Sequence, residues 1–215
     1  MIITSLSQLD LDGTYSYADY LKWRFKESVE LIRGKILKMS PAPSVKHQEI
    51  SRQLCKELFN YFDRKHPCQV FNAPFDVRLY DKKKSLKVND DIFTVVQPDI
   101  CIICDKNKLD TKGCLGAPDL IIEILSLGNS KREMKIKFDL YEESGVREYW
   151  LVYPYEESIT KFILNESDKF EYAGQYANDD VISPTIFPSL SIDLTEVFYH
   201  PEGENDDDDA NIVRI

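Results

Sequence analysis

The chain has 215 residues, enough for one substantial core, and 43% of them are hydrophobic. Its formal net charge of −10 tells against a protein that grips nucleic acid nonspecifically through a broad basic face. No apolar stretch approaches the roughly 20 residues needed to span a bilayer, so a membrane protein is not expected.

Part of the negative charge is local. Glu202, Glu204 and Asp206 to Asp209 hold six of the ten excess charges, which leaves residues 1–200 only mildly acidic. One domain over 1–200 is therefore expected, followed by an acidic, disordered tail over 201–215. The opening MIITSLSQLDLDG lacks the basic-then-apolar layout of a signal peptide. The five cysteines are odd in number and scattered through apolar runs, which predicts reduced thiols in a cytoplasmic protein. Cys101 and Cys104 form a CxxC, but positions three apart on a strand face opposite ways. With no second pair to complete a zinc site, they read as structural, as do Cys55, Cys68 and Cys114.

In chain order, Ser16 and Asp19 look like the N-cap and first-turn acid of a short helix through about Lys26. Val29 to Met39 reads as a hairpin turning at Arg33-Gly34. Val29 and Leu31 share one face of its first strand, and Glu30 and Ile32 share the other. Pro41 and Pro43 stiffen a loop, and a long amphipathic helix is predicted over Val45 to Arg64. Ile50, Leu54, Leu58 and Phe62 form its buried stripe at spacings of four, and His47 lies in its first turn. Cys68 to Tyr80 alternates as one or two strands broken near Pro74. Asp81 to Asp91 reads as a charged loop whose Lys82, Lys83, Lys84 and Lys87 form the main basic cluster, most simply a solvated turn.

The most informative stretch runs from Gln97 to Trp150. Leu120 to Leu125 (LIIEIL) is a short apolar run between Pro118 and Gly128-Asn129, which suits a strand covered on both faces. Glu123 inside it is costly unless it meets a cation or several donors. Upstream, Asp99 opens a second apolar run, Ile100 to Cys104. Two carboxylates on neighbouring strands of one sheet can bind a divalent cation. A helix is predicted from Lys131 to Ser144, stopped by Gly145. At about 100° per residue, Lys137 projects into the apolar sector between Met134, Phe138 and Tyr141 on one side and Ile136 and Leu140 on the other. Glu133 shares that sector, whereas Lys131 and Lys135 point to solvent. Arg147 to Tyr153 is a further apolar strand, Ile159 to Tyr172 a hairpin turning through Asn165 to Asp168, and Leu194 to Phe198 a last helical turn.

With these residues assembled, the sequence resembles the Uma2 family of the PD-(D/E)XK, or restriction-endonuclease-like, superfamily. The carrying residues are Glu30-Leu31-Ile32-Arg33-Gly34, Met39 to Pro43 with His47, Pro98-Asp99, and Ala117 to Ser126. Lys137 to Tyr141 and Gly145 to Val152 complete the pattern, which covers Ser16 to Pro188. Pro98-Asp99 precedes Glu123 at the superfamily's spacing, and Pro118-Asp119 lies too close to serve. The superfamily lysine is expected two residues after the glutamate, where this chain has Leu125. The matching lysine is Lys137 on the following helix, the same residue the helical arithmetic selects. A milder departure is Glu133, where relatives often carry aspartate.

The resemblance implies an α/β (α+β) fold with a mixed central β-sheet flanked by helices. It implies a metal-dependent endonuclease acting on DNA, with Asp99, Glu123 and Lys137 catalytic and Asp99 and Glu123 holding Mg2+ or Mn2+. The backbone carbonyl of Ile124 is a further ligand by analogy. Glu30, on a neighbouring strand, and His47 are supporting residues, and a homodimer suits enzymes of this class that cut two strands. The alternative function is a catalytically inactive nuclease-fold binding or regulatory module, in which Glu123 and Lys137 form only a buried ion pair.

Overall fold

In the computed structural model, which describes residues 2–39, 43–63, 65–80, 88–128 and 130–199, the strands sort into two six-stranded sheets and one short pair. Sheet one runs β2 (Lys35–Lys38), β1 (Val29–Ile32), β5 (Thr94–Val96), β4 (Val77–Leu79), β8 (Gly113–Leu115), β7 (Leu109–Asp110). Sheet two runs β12 (Phe170–Ala177), β11 (Ser158–Leu164), β10 (Glu148–Tyr153), β9 (Leu120–Ile124), β6 (Ile100–Ile103), β3 (Gln69–Asn72). The pair is β13 (Val181–Ile182) with β14 (Ile192–Asp193), and the helices are α1 (Tyr17–Tyr20), α2 (Val45–Tyr61), α3 (Lys131–Ser144) and α4 (Leu194–Val197). This is the expected mixed α+β class, with a second six-stranded sheet beside the central one.

Every residue of β9 is buried because the strand lies between β10, which is parallel to it, and β6, which is antiparallel. Alternation then sends its side chains to two cores. Leu120, Ile122 and Ile124 join Ile100, Ile102, Trp150 and Val152 against the Ile50, Leu54 and Leu58 stripe of α2. Ile121 turns the other way with Cys101, Ile103, Tyr149 and Leu151. Those residues meet Leu140 and Tyr141 of α3 and the inner face of sheet one, formed by Ile32, Val77, Leu79 and Val96. The outer face of sheet one, through Val29, Leu31 and Val95, is covered by the N-terminal segment with Tyr17 and Trp23.

Local chemistry sets the ends of these elements. Ser130 caps α3 in a reciprocal box with Glu133, which is where Glu133 is used, and Gly145 ends the helix at φ 82°. Arg33 and Gly34 take positive φ values of 50° and 80°, as a two-residue turn matched to strand twist requires. α1 stops at Tyr20 rather than near Lys26, because Trp23 leaves the helix to form a bridge with Ile3. α2 likewise ends at Tyr61 rather than Arg64. The stretch from Cys68 to Tyr80 does break near Pro74, but its halves, β3 and β4, belong to different sheets.

The cysteine expectation needs correction. Cys68 and Cys104 are joined in a disulfide, and Cys55, Cys101 and Cys114 are free and buried. The two bonded residues flank β3 and β6, and the pairing of Gln69 with Ile103 carries Cys68 opposite Cys104 when extended by one residue. Among the described residues no helix is long and apolar enough to cross a membrane. The basic cluster at Lys82, Lys83, Lys84 and Lys87, the loop residues Ser40 to Ala42, Asn129 and the acidic tail lie outside the described residues.

Candidate active site

Three elements bring the predicted residues together. The antiparallel register of β6 and β9 pairs Ile100 with Ile122, and one further step sets Asp99 opposite Glu123. Asp99 Oδ2 accepts the Ile124 backbone N–H at 2.7 Å, which ties the first acid to the residue after the second. α3 then lays Lys137 over Glu123, with Nζ 3.0 Å from Glu123 Oε1. The same ammonium lies 3.1 Å from Glu30 Oε1. Glu30 is not on a strand neighbouring β9, as the sequence suggests. It reaches the site from β1 in the other sheet, because it shares an inward face with Ile32. Its carboxylate also accepts the Gln97 backbone N–H at 2.9 Å.

Tyr141 is a site residue that the sequence reading leaves in the core. Its hydroxyl donates to Glu123 Oε1 at 2.6 Å. The available signal is its spacing: Tyr141 follows Lys137 by four residues, so the two side chains share one helix face. Both donors fall on the same oxygen, Oε1, of Glu123. His47, in the first turn of α2, places Nε2 3.4 Å from Asp99 Oδ1. Its buried Nδ1 has no hydrogen-bond partner among the described residues. The rejected Asp119 is structural: it accepts from the Cys104 backbone N–H at 2.8 Å and from Arg147 at 3.1 Å.

The electrostatics follow from one lysine among three acids. Side-chain exposure is 2% for Glu30, 10% for Glu123, 17% for Lys137 and 22% for Asp99, so the cluster is largely out of water and opens at Asp99. Burial pushes the Glu123 carboxyl up to about 7; Lys137 and the Tyr141 hydroxyl oppose the rise, and Asp99 and Glu30 add to it. Burial acts to strip the Lys137 proton, yet Glu123 and Glu30 hold that ammonium charged above the ordinary lysine value. For His47, burial favours the neutral ring, but Asp99, the Ile124 carbonyl and Glu123 together raise its pKa. The imidazole is therefore drawn to the same three groups that the sequence reading assigns to a metal.

Those groups suit a hard cation. Mg2+ binds through one or two carboxylates and keeps several waters, and here the register sets Asp99 opposite Glu123 while Glu30 adds further negative charge. Among the described residues no three His, Cys, Asp or Glu side chains form a metal cage by themselves. A site built on two carboxylates and a backbone oxygen is not of that kind.

A buried mixed sheet with paired acids on adjacent strands and a lysine from the following helix defines a restriction-endonuclease-like core. Residues 17–195 match the model of the Uma2 family, described as "Putative restriction endonuclease", and the chain belongs to that family. The fold is shared with a crystal structure described as a "putative nuclease belonging to DUF820" from Anabaena variabilis. That protein is 21% identical, with 86% of this chain and 97% of that chain covered at a TM-score of 0.63. No curated protein matches the chain.

Proposed function

We propose that the chain is a metal-dependent endonuclease that hydrolyses phosphodiester bonds in DNA. Asp99, Glu123 and Lys137 are its catalytic residues, Glu30 and His47 support them, and Mg2+ or Mn2+ is its cofactor. The observation carrying this reading is the Lys137 ammonium, 3.0 Å from Glu123 and 3.1 Å from Glu30, beside a second acid on the adjoining strand.

Asp99 and Glu123 would hold the ion, with the Ile124 carbonyl as a third oxygen ligand. Bound there, the ion supplies charge neutralisation at the scissile phosphate and lowers the pKa of the attacking water. Lys137 has three donor protons. Two are engaged by the glutamates, and the third orients the water or meets charge developing on the phosphoryl oxygens. Glu30 fixes the lysine from the opposite sheet. Lys137 and Tyr141 hold Glu123 by Oε1, so a cation held by Glu123 would draw on its other oxygen. His47, near the N-terminus of a long helix, contacts a substrate phosphate or moves a proton at its Nε2. A homodimer would place two such sites on two strands, and sedimentation velocity measures that state directly.

The competing reading keeps the same clamp as a staple between two sheets in a silent binding or regulatory module. Two assays separate them. Wild type should nick supercoiled plasmid with Mn2+ while Glu123→Ala and Lys137→Ala do not; equal nicking by all three marks a contaminant. Millimolar Mn2+ should raise the melting temperature of wild type and leave Asp99→Ala unmoved. If neither protein moves, the nuclease reading goes.

A further inference from the structure

A cavity of about 320 Å³ is lined by Tyr20, Trp23, Phe25, Arg24, Asp76 and Gln97, with Glu27 as a second carboxylate beside Asp76. The strand register explains its place. The pairing of Leu31 with Val95 and of Val77 with Val96 extends to set Val29, Gln97 and Asp76 in one row across β1, β5 and β4. Glu30 stands one residue further along β1, and its carboxylate takes the Gln97 backbone N–H at 2.9 Å. Asp99 is two residues beyond Gln97, about 7 Å of extended chain, or roughly two base-pair rises. Pro98 alone stands between Gln97, which faces the cavity on the outer side of sheet one, and Asp99, so a strand that crosses the end of the sheet could reach both the cavity and the candidate active site on the inner side.

The lining has two chemistries. Trp23 stacks on Phe25 with centroids 5.7 Å apart, and Tyr20 leans on Trp23 at 5.4 Å, giving an aromatic wall. The floor is polar. Gln97 Nε2 donates to Asp76 Oδ1 at 2.8 Å, and Tyr20 lines the cavity with both residues. With the Gln97 amide already donating to Asp76, what the floor presents to a visitor is mainly oxygen acceptors. At the lip, Arg24 Nη1 is fixed by the carbonyls of Leu21 and Trp23 at 3.0 and 2.7 Å. A ligand with a flat π face and ring N–H donors, carrying an anion on its far side, answers all three features. A free phosphate does not, because it would face the Asp76 carboxylate.

We propose that this cavity binds a nucleobase of the substrate strand, one or two nucleotides from the scissile phosphate, stacked on the aromatic wall with its amino or imino edge on Asp76 and Gln97. This deepens the nuclease reading and rests on it for the source of the base, though base binding itself needs neither metal nor cleavage.

The test uses the full chain without metal. Trp150 is fully buried away from the cavity, whereas Trp23, 8% exposed, has an edge in its lining, so a ligand-dependent change in intrinsic fluorescence that Trp23→Phe removes is assigned to Trp23. At least one of the four deoxynucleoside monophosphates should quench saturably, and Trp23→Phe should abolish the change. Deoxyribose 5-phosphate, which lacks a base, should not quench. A short single strand should bind roughly 5- to 150-fold more weakly when an abasic unit replaces the recognised base, and Asp76→Ala should narrow that difference by removing the edge contact. Asp76→Asn serves if the alanine variant fails to fold by circular dichroism. Absence of saturable quenching by all four nucleotides overturns the proposal. So does equal quenching by the base-free phosphate, or by tetramethylammonium, which would mark a cation cage. Plasmid cleavage without base-dependent quenching removes only the pocket; base-dependent quenching without cleavage removes only the catalysis.

Discussion

Replacing Lys137 by Met tests the centre of the reasoning most directly. The substitution keeps much of the apolar stem and deletes the charge. It leaves Glu123 and Glu30, at 10% and 2% side-chain exposure, facing each other without a cation. Removing one partner of a buried pair costs about 3–5 kcal/mol, against about 0–1 kcal/mol for an exposed pair. The cost should depend on pH with a definite sign. Glu123 in the folded wild type is already raised to about 7 by burial, and losing the ammonium raises it further. A carboxyl whose folded pKa exceeds its unfolded value stabilises the fold below the unfolded pKa, and that stability fades as pH rises through the folded one. Urea unfolding at pH 5 and pH 8.5 should therefore show a small deficit for Lys137→Met in acid and several kcal/mol in base. The double variant with Glu123→Gln should regain part of the loss at pH 8.5. A deficit within about 0.5 kcal/mol of wild type at pH 8.5 would falsify the buried-clamp account, since that is the size of an ordinary surface change.

Tyr141→Phe keeps the ring and deletes the 2.6 Å bond to Glu123; hydrogen bonds to charged groups are worth about 1.5–3 kcal/mol. We expect a loss of that order in urea, with a weaker Mn2+ affinity by calorimetry, and an unchanged affinity would show that Tyr141 does not position the ligand. Mn2+ affinity should rise with pH until about 7, where Glu123 loses its proton, and level off above it. A flat profile from pH 5.5 to 7.5 would remove Glu123 from the ligand set. For Cys68 and Cys104, alkylation of the denatured chain without reductant should label three thiols, and five after reduction. Five labels in both cases would return these residues to the reduced state the sequence suggests.

What was legible in the sequence was what local physics encodes. α3 is announced by its apolar sector and Gly145, and both act within a few residues. β9 is announced by unbroken apolar character, because a central strand is covered on both sides. Sheet one was largely hidden, since β4, β5 and β8 are three residues each and β7 is two, too short for alternation to register. The partition of strands between sheets is a long-range choice, which is why Glu30 reads as a neighbour of β9 but reaches the site from across the interface. The same cause hid the Cys68–Cys104 bond, which exists because β3 pairs with β6 in one particular register. Tyr141 was missed for another reason. A tyrosine on an apolar stripe looks like filling until a buried acid is placed against its hydroxyl.

The charge balance of the site argues against a purely structural clamp. A staple between two sheets needs one cation and one acid, and apolar residues of similar volume would often serve as well or better. Here Lys137 meets two glutamates, and Asp99 brings a third carboxylate to the same place, held by the Ile124 N–H and faced by His47. Burial is the main cause of the raised Glu123 pKa, and the third acid adds to it, so the cluster is harder to ionise with Asp99 present. A fold selected for stability alone has no use for that surplus, and replacing Asp99 by Asn would relieve it. Retaining a destabilising carboxylate at the one exposed corner makes sense if a further positive charge arrives there during function. On that argument Asp99→Asn should raise the melting temperature of the metal-free chain while removing its response to Mn2+. A lower melting temperature, or an undiminished Mn2+ shift, would mean that Asp99 serves the fold instead.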